Sequence, residues 1–231
     1  MAGEINEGLK KQRLLIKDII DPFFKNNGFS RKGIKYIKKL DYFIIETEIQ
    51  RQRYYKDDEV EKFRINGIVY SENSYKLFYC SLKFGGYCIQ GEGSWITTDK
   101  NTNISELKSW LNTELNKLPK IFEEYNDVDK IIEKQREIGN NYEYAFLLKD
   151  NNKSKEFEKW NKETNEKIKN LNNKILELSH KIEEAEKDKN QNRTESNKLA
   201  KEIEYRNLWS ERKSKEIQIE SIIRFLEKIN E

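Results

Sequence analysis

The chain has 231 residues, of which 35% are hydrophobic and 37% are charged, and its formal net charge is only +3. So small a basic excess is not a nucleic-acid-binding signature, and so high a charged fraction confines the hydrophobic core to part of the chain. One histidine and two cysteines make a zinc site or a histidine-activated nucleophile hard to build. We therefore expect no metal and no cofactor.

Aromatic residues divide the chain into two parts. Of the 27 Phe, Trp and Tyr residues, 19 fall at or before Tyr125. We expect an α+β domain over residues 1–150 and a polar helical hairpin over residues 151–231. No apolar run approaches the roughly 20 residues that span a bilayer, and the N-terminus lacks the apolar segment of a signal peptide. We therefore expect a cytoplasmic protein with no membrane partner.

The first predicted element is an amphipathic helix over Leu9–Phe24, with an apolar stripe wide enough to cover a sheet. Pro22 should bend it, because proline cannot donate a hydrogen bond to the preceding turn. Gly28 should end it in the left-handed conformation, and Phe29 should supply the hydrophobic contact that often follows such a cap.

Three strands should follow as an antiparallel meander over Gly33–Lys39, Tyr42–Arg53 and Phe63–Tyr70. Side chains alternate between the two faces of a strand. One face of the last two strands should therefore form the core, and the other should carry polar side chains. The expected core positions are Phe43, Ile45, Thr47, Ile49, Phe63, Ile65, Gly67 and Val69.

The polar side chains on these two strands are the main candidate site. Amides and a guanidinium among aromatic rings can orient a ligand or a partner loop. The other interpretation is an ordinary wetted sheet face with cross-strand hydrogen bonds. The candidate partner-binding residues are Gln50, Gln52, Arg64, Asn66 and Tyr70.

Basic residues around the first strand form an alternative site for nucleic acid, with nearby tyrosines available to stack on bases. Because the net charge is small, we favour the other interpretation, a lysine-rich edge strand that resists aggregation. Glu46 and Glu48 share one strand face at a spacing compatible with acid–base catalysis, although charged alternation usually serves solvation. The candidate nucleic-acid-binding residues are Arg31, Lys32, Lys35, Lys38 and Lys39.

After the meander, Tyr75–Phe84 and Tyr87–Ile96 predict a hairpin about Gly85-Gly86. That turn would place Cys80 and Cys88 on opposite faces, which makes a disulfide unfavourable. Gly91 and Gly93 should mark a bulge or a close backbone approach.

A second covering helix is predicted over Leu107–Phe122. Asn103 and Glu106 resemble a capping box before it, and Pro119 should bend it. Shorter helices should follow over Asp127–Ile138 and Tyr142–Leu148. The predicted fold is thus α+β, an antiparallel four- or five-stranded sheet covered by two helices.

Heptad-like repeats from Phe157 to Ala185 and from Leu199 to Ile229 predict a coiled-coil-like antiparallel hairpin. Apolar residues left off its seam, such as Ile217, Ile223 and Phe225, favour self-association or partner binding through this hairpin. The expected seam residues are Trp160, Ile168, Ile175, Trp209, Ile219 and Leu226.

The order of several short motifs carries more information than any single motif does. After the first helix come NNGFSRKG, IKYIKK, EIQRQR, FRINGIVY, CSLKFG, the pair Ser94-Trp95, and LPKIF. Over residues 8–125 this order resembles the bacterial family catalogued as Domain of Unknown Function 4304, although that family favours Trp-Trp where this chain has Ser94-Trp95. The resemblance implies an α+β sheet domain often found near toxin-immunity or defence genes, with no established reaction.

These observations favour a non-enzymatic bacterial protein-interaction protein. It would be an immunity or neutralising protein, or a subunit of an anti-phage defence complex. The alternative is a nucleic-acid-binding protein that uses Arg31–Lys39, and a hydrolase that uses the polar sheet face is the least favoured interpretation.

Overall fold

The structure, a computed structural model, describes residues 6–52, 60–79, 82–139, 141–189 and 195–231. The chain divides into two compact units, residues 1–144 and Ala145–Glu231. The division falls within the helix Asn141–Asp150, which also contains the boundary expected at residue 150. The first unit holds the sheet and the second is helical, so the predicted α+β class is confirmed.

The sheet has six antiparallel strands in the described part of the chain. They pair in the order β1-β2-β3-β4-β5, and β6 pairs with β4 beyond the end of β5. The sequence pattern missed β1 and β6, which have only three residues each. The strands are β1 (Ser30–Lys32), β2 (Lys35–Lys39), β3 (Phe43–Arg51), β4 (Glu61–Ser71), β5 (Gly85–Ile89) and β6 (Ile96–Thr98).

Helices precede, interrupt and follow the sheet. Those of the first unit are α1 (Glu7–Leu15), α2 (Asp21–Asn26), α3 (Glu72–Phe78), α4 (Ile104–Leu115), α5 (Leu118–Glu124) and α6 (Val128–Ile138). The helix α7 (Asn141–Asp150) spans the division between the units. The second unit also contains α8 (Ser154–Lys189) and α9 (Glu195–Asn230). None of the helices that the structure describes combines the length and apolar character that a membrane crossing requires.

The helix predicted over Leu9–Phe24 is present, but a π-helical turn over Ile16–Ile20 separates α1 from α2. The turn lies just before Pro22, which occupies the first turn of α2, where its missing N–H is tolerated. The predicted cap is confirmed: Gly28 has φ +82°, and Phe29 N donates to Phe24 O at 3.0 Å. The rings of Phe24 and Phe29 meet edge-on at 5.0 Å.

The predicted alternation on the central strands is confirmed. Phe43, Ile45 and Ile49 of β3 and Phe63, Ile65 and Val69 of β4 are buried, while the intervening side chains are half-buried apart from Tyr70. We call the two sides the core face and the open face. Helix residues pack on the core face, where Phe24 stacks on Tyr36, Phe122 meets Tyr87 and Tyr125 meets Phe43.

The predicted strand Tyr75–Phe84 is wrong, because the chain enters α3 directly after β4. Ser71 caps this helix, since its Oγ accepts a hydrogen bond from Ser74 N at 3.0 Å. Gly85 and Gly86 therefore lie inside β5 and do not form a turn. Cys80, like Arg53 at the predicted end of the second strand, lies outside the described residues.

Two later predictions are confirmed. Asn103 caps α4 through its Oδ1, and its Nδ2 donates to Glu106 Oε1 at 2.7 Å, so the two residues form a capping pair. The helix is interrupted before Pro119, which lies in the first turn of α5. Gly91 and Gly93 lie at a 3₁₀ turn over Glu92–Ser94, in which Gly93 has φ +64°, and not at a bulge. The close backbone approach predicted as the alternative is confirmed, because a Cβ atom at Gly91 would meet the Trp95 carbonyl oxygen.

Within the second unit, α8 and α9 pack as an antiparallel hairpin. Trp160 near the start of α8 meets Phe225 near the end of α9 with ring centroids 6.0 Å apart, and Lys201 pairs with Asp188 at the opposite end. Residues 190–194, between the helices, lie outside the described residues. The buried seam contains Trp160, Thr164, Leu178, Ile182, Ala185, Ile219, Ile222, Phe225 and Ile229.

The predicted seam needs two corrections. Trp209 is 43% exposed, because helical spacing back from Ile222 and Ile219 brings Leu208, not Trp209, toward α8. The guanidinium carbon of Arg212 lies 5.2 Å from the centre of the Trp209 ring. Phe225, expected off the seam, is buried in it. The other predicted seam residues, Ile168, Ile175 and Leu226, are half-buried.

Buried tyrosines make the stability of the fold sensitive to alkaline pH. Burial raises the pKa of Tyr87 above its ordinary value of 10.0, and burial with the neighbouring Asp21 does the same for Tyr36. A group whose pKa is raised by folding stabilises the folded state fully at pH values below its pKa in the unfolded chain. This stabilisation is lost as the pH rises through its pKa in the folded protein. We expect the free energy of unfolding, measured by urea denaturation, to fall above about pH 10.

Tyr87→Phe provides the control, because it removes one ionisable phenol from the core. Its unfolding free energy should be lower at neutral pH, since Thr47 loses the tyrosine hydroxyl as hydrogen-bond partner. It should then decline less steeply with alkaline pH than the wild type. Equal slopes in the two proteins would contradict this account.

Candidate functional site

Three polar side chains on the open face form one hydrogen-bonded group. Gln50 on β3 lies directly opposite Arg64 on β4, and Asn66 is the next residue along β4 on the same face. Gln50 Oε1 accepts from Arg64 Nε and from Asn66 Nδ2, both at 2.7 Å. We call Gln50, Arg64 and Asn66 the polar row. Its geometry fixes the orientation of the guanidinium before any partner arrives.

Trp95, the residue before β6, completes this arrangement. The guanidinium carbon of Arg64 lies 4.8 Å from the centre of the Trp95 ring, within cation–π distance. The β4–β6 pairing explains the contact, because it brings Ile96 opposite Phe63 and so places Trp95 beside Arg64. Trp95 is not among the residues predicted for the site. An aromatic residue directly after a glycine-rich turn was the only available signal.

Arg64 has no carboxylate partner among the residues that the structure describes. Its Nε donates a hydrogen bond to Gln50, and one face of its guanidinium contacts the Trp95 ring. The two terminal nitrogens therefore remain as donors. Two lysines on the same face differ in this respect, since Lys35 bonds Glu46 at 2.6 Å and Lys39 lies 3.7 Å from Glu72. The polar row thus presents a fixed, unneutralised positive charge.

The remaining two predicted partner-binding residues do not join the polar row. Tyr70 is only 7% exposed, because Tyr75 of α3 lies over that end of the strand with ring centroids 5.9 Å apart. Gln52 follows the end of β3, and its backbone N donates to Lys62 O at 3.0 Å. Its Oε1 is buried without a hydrogen-bond partner in the described part of the chain.

The predicted basic cluster is divided between the two faces of the sheet. Strand register puts Arg31 and Lys38 on the core face, and Lys32, Lys35 and Lys39 on the open face. Arg31 pairs with Asp21, and Lys38 lies over the rings of two phenylalanines. These five residues therefore do not form one phosphate-binding surface, because alternation along β1 and β2 separates them and carboxylates neutralise three of them.

The two glutamates proposed for catalysis also have other roles. Glu46 bonds Lys35, and Glu48 lies opposite Lys35 on one side and Asn66 on the other. His180 is exposed on α8. Within the described ranges, no three His, Cys, Asp or Glu side chains are grouped so that they could hold a metal ion.

Comparison with known proteins adds no further argument. No protein-family model, no curated protein and no solved structure matches this chain. The resemblance to the Domain of Unknown Function 4304 family stays a prediction. The function must therefore be inferred from the site.

Proposed function

We propose that this chain is a non-enzymatic protein-interaction protein that binds a partner through the polar row. One observation carries the proposal: Arg64 is oriented by Gln50, stacked on Trp95, and without a carboxylate partner in the described part of the chain. Arginine and tryptophan are the residue types that most often dominate the binding energy of protein interfaces. A pre-oriented side chain also loses less conformational entropy on binding.

The expected partner carries an acidic group. A planar guanidinium binds a carboxylate with two parallel hydrogen bonds, which adds directional specificity to charge attraction. The stacked indole shields one side of the guanidinium from water, which strengthens its interaction with an incoming anion. Ile68, which is half-buried and follows Asn66 as the next residue of β4 on the same face, supplies apolar contact area beside the polar row.

The biological setting that we propose follows from the family resemblance. The resemblance favours a bacterial cytoplasmic protein that neutralises a toxin or belongs to an anti-phage defence complex. The helical hairpin offers a second surface for a partner or another copy, because Ile217 and Ile223 on α9 are exposed.

Partner capture from the source organism tests this proposal. Tagged wild-type protein should retain one specific protein in a fixed ratio, measured by quantitative mass spectrometry. Arg64→Ala should retain at least tenfold less, because truncating a central interface arginine can cost about 2 kcal/mol or more.

Arg136→Ala is the matched control, since Arg136 is an exposed arginine on α6 of the same unit. It should retain the partner as the wild type does. Equal recovery with wild type and Arg64→Ala would contradict the proposal, as would the absence of any specifically retained protein.

A further inference from the structure

A cleft of about 440 Å³ lies where the connection after β5 meets α4. Its volume is within the roughly 300–1,000 Å³ range of ligand pockets. Two indole rings dominate it, Trp95 from the residue before β6 and Trp110 from α4, both half-buried. We call it the tryptophan cleft, and its other lining side chains include Gln90, Glu92, Thr97 and Leu107.

The wall of the tryptophan cleft is held by close backbone packing. A Cβ atom at Gly91 would lie 2.6 Å from the carbonyl oxygen of Trp95, closer than a side chain tolerates. Gly93 has φ +64°, in the left-handed region that favours glycine. The backbone that carries Trp95 is therefore closely packed, which restricts the movement of this wall of the cleft.

Charge determines which ligand suits this cleft. Glu92 is the one charged side chain among the described residues that line it, and it is exposed. A negative charge is therefore disfavoured inside the cleft. The unneutralised guanidinium of Arg64 lies against the same Trp95 ring, so a single indole is shared by an apolar cleft and an anion-binding group.

We propose that the tryptophan cleft receives an aromatic side chain of the partner while an Asp or Glu two residues away binds Arg64. Side chains two residues apart in an extended segment lie on the same side, about 7 Å apart, so the aromatic ring and the carboxylate can contact the cleft and Arg64 together. The inference rests on the proposed function and adds to it the chemistry of the recognised segment, an aromatic anchor with a nearby carboxylate.

A peptide titration of the full chain tests the cleft directly. The four tryptophans give four indole N–H signals in a ¹⁵N NMR spectrum, and single Trp→Phe variants assign them. The probe is the capped tripeptide acetyl-Phe-Ala-Asp-amide. The Trp95 and Trp110 signals should shift saturably, whereas those of Trp160 and Trp209 in the other unit should not move.

Two matched peptides separate the two parts of the recognition. Acetyl-Phe-Ala-Asn-amide lacks the charge and acetyl-Ala-Ala-Asp-amide lacks the ring, and each should bind at least fivefold more weakly to the wild type. In Arg64→Ala, the Asp and Asn peptides should bind equally. Unsaturable shifts, equal shifts of all four indoles, or equal affinities of the three peptides for the wild type would overturn the inference.

Trp110→Ala separates this inference from the proposed function. Partner capture that is lost in Arg64→Ala and also in Trp110→Ala supports the tryptophan cleft as part of the interface. If capture is lost in Arg64→Ala but is unchanged in Trp110→Ala, the cleft inference is overturned while the proposed function stands. Trp110→Phe, which keeps an aromatic wall, should retain most of the capture.

Discussion

Phe63→Ala and Ile65→Ala should each lower the free energy of unfolding by about 2–5 kcal/mol, measured by urea denaturation. Both side chains are 0% exposed on the core face of β4. Truncation removes their apolar contacts and leaves a cavity that the surrounding strands and helices fill only in part.

Arg64→Ala, between these two residues, is the control. Its side chain points to the open face, and Gln50 Oε1 keeps Asn66 Nδ2 as a donor when the guanidinium is lost. No buried acceptor is left unpaired, but the hydrogen bond to Gln50 and the contact with Trp95 are lost, so we expect a loss of about 1 kcal/mol, well below that of the core variants. Unfolding of the domain by Arg64→Ala would show that the polar row is structural.

Gly67→Ala should destabilise the sheet by about 3 kcal/mol, the upper part of the range for overpacked cores. A Cβ atom there would lie 2.2 Å from the ring of Tyr87, which covers Gly67 from the neighbouring strand. The ring cannot move freely, because its hydroxyl is hydrogen-bonded to Thr47 and its face meets Phe122. Thermal and urea denaturation of the variant would measure the loss.

A double-mutant cycle with Tyr87→Ala tests the cause of this loss. If the collision with the ring is responsible, the double variant should be more stable than the sum of the two single losses implies. Strict additivity would show that Gly67 is required for another reason, such as the backbone conformation of β4.

The central strands were predictable from sequence because their side chains alternate strongly over many residues. Phe43, Ile45, Phe63 and Ile65 could all be assigned to the core face from period-2 spacing alone. The cap at Gly28 was equally clear, since a left-handed glycine followed by an apolar residue has few other interpretations.

The short elements were not predictable in the same way. The run from Tyr75 to Phe84 has alternating apolar residues, but a single serine cap at Ser71 starts a helix there instead. The shift of Trp209 off the hairpin seam reflects a register that only the packed helices define. Short apolar runs favour helix and strand almost equally until their neighbours are known.

The candidate site was predictable in part. Alternation predicted that Gln50, Arg64 and Asn66 share one face, but it did not predict the hydrogen bonds that join them. The position of Trp95 beside Arg64 depends on the pairing of β6 with β4 beyond the end of β5. This pairing joins distant parts of the chain, so residue spacing does not reveal it. The separation of Lys38 from Lys35 and Lys39 follows from alternation along β2, whereas the positions of Arg31 and Lys32 depend on the extra strand β1.

The most direct test of the polar row is the affinity of the captured partner for wild type, Arg64→Ala and Arg64→Lys, measured by calorimetry beside their melting temperatures. We predict at least tenfold weaker binding of Arg64→Ala, about 1.4 kcal/mol, with a melting temperature near that of the wild type. Arg64→Lys should not restore affinity, because an ammonium cannot reproduce the planar stack on Trp95 or paired hydrogen bonds to a carboxylate. Equal affinities of the three proteins would contradict recognition through the polar row.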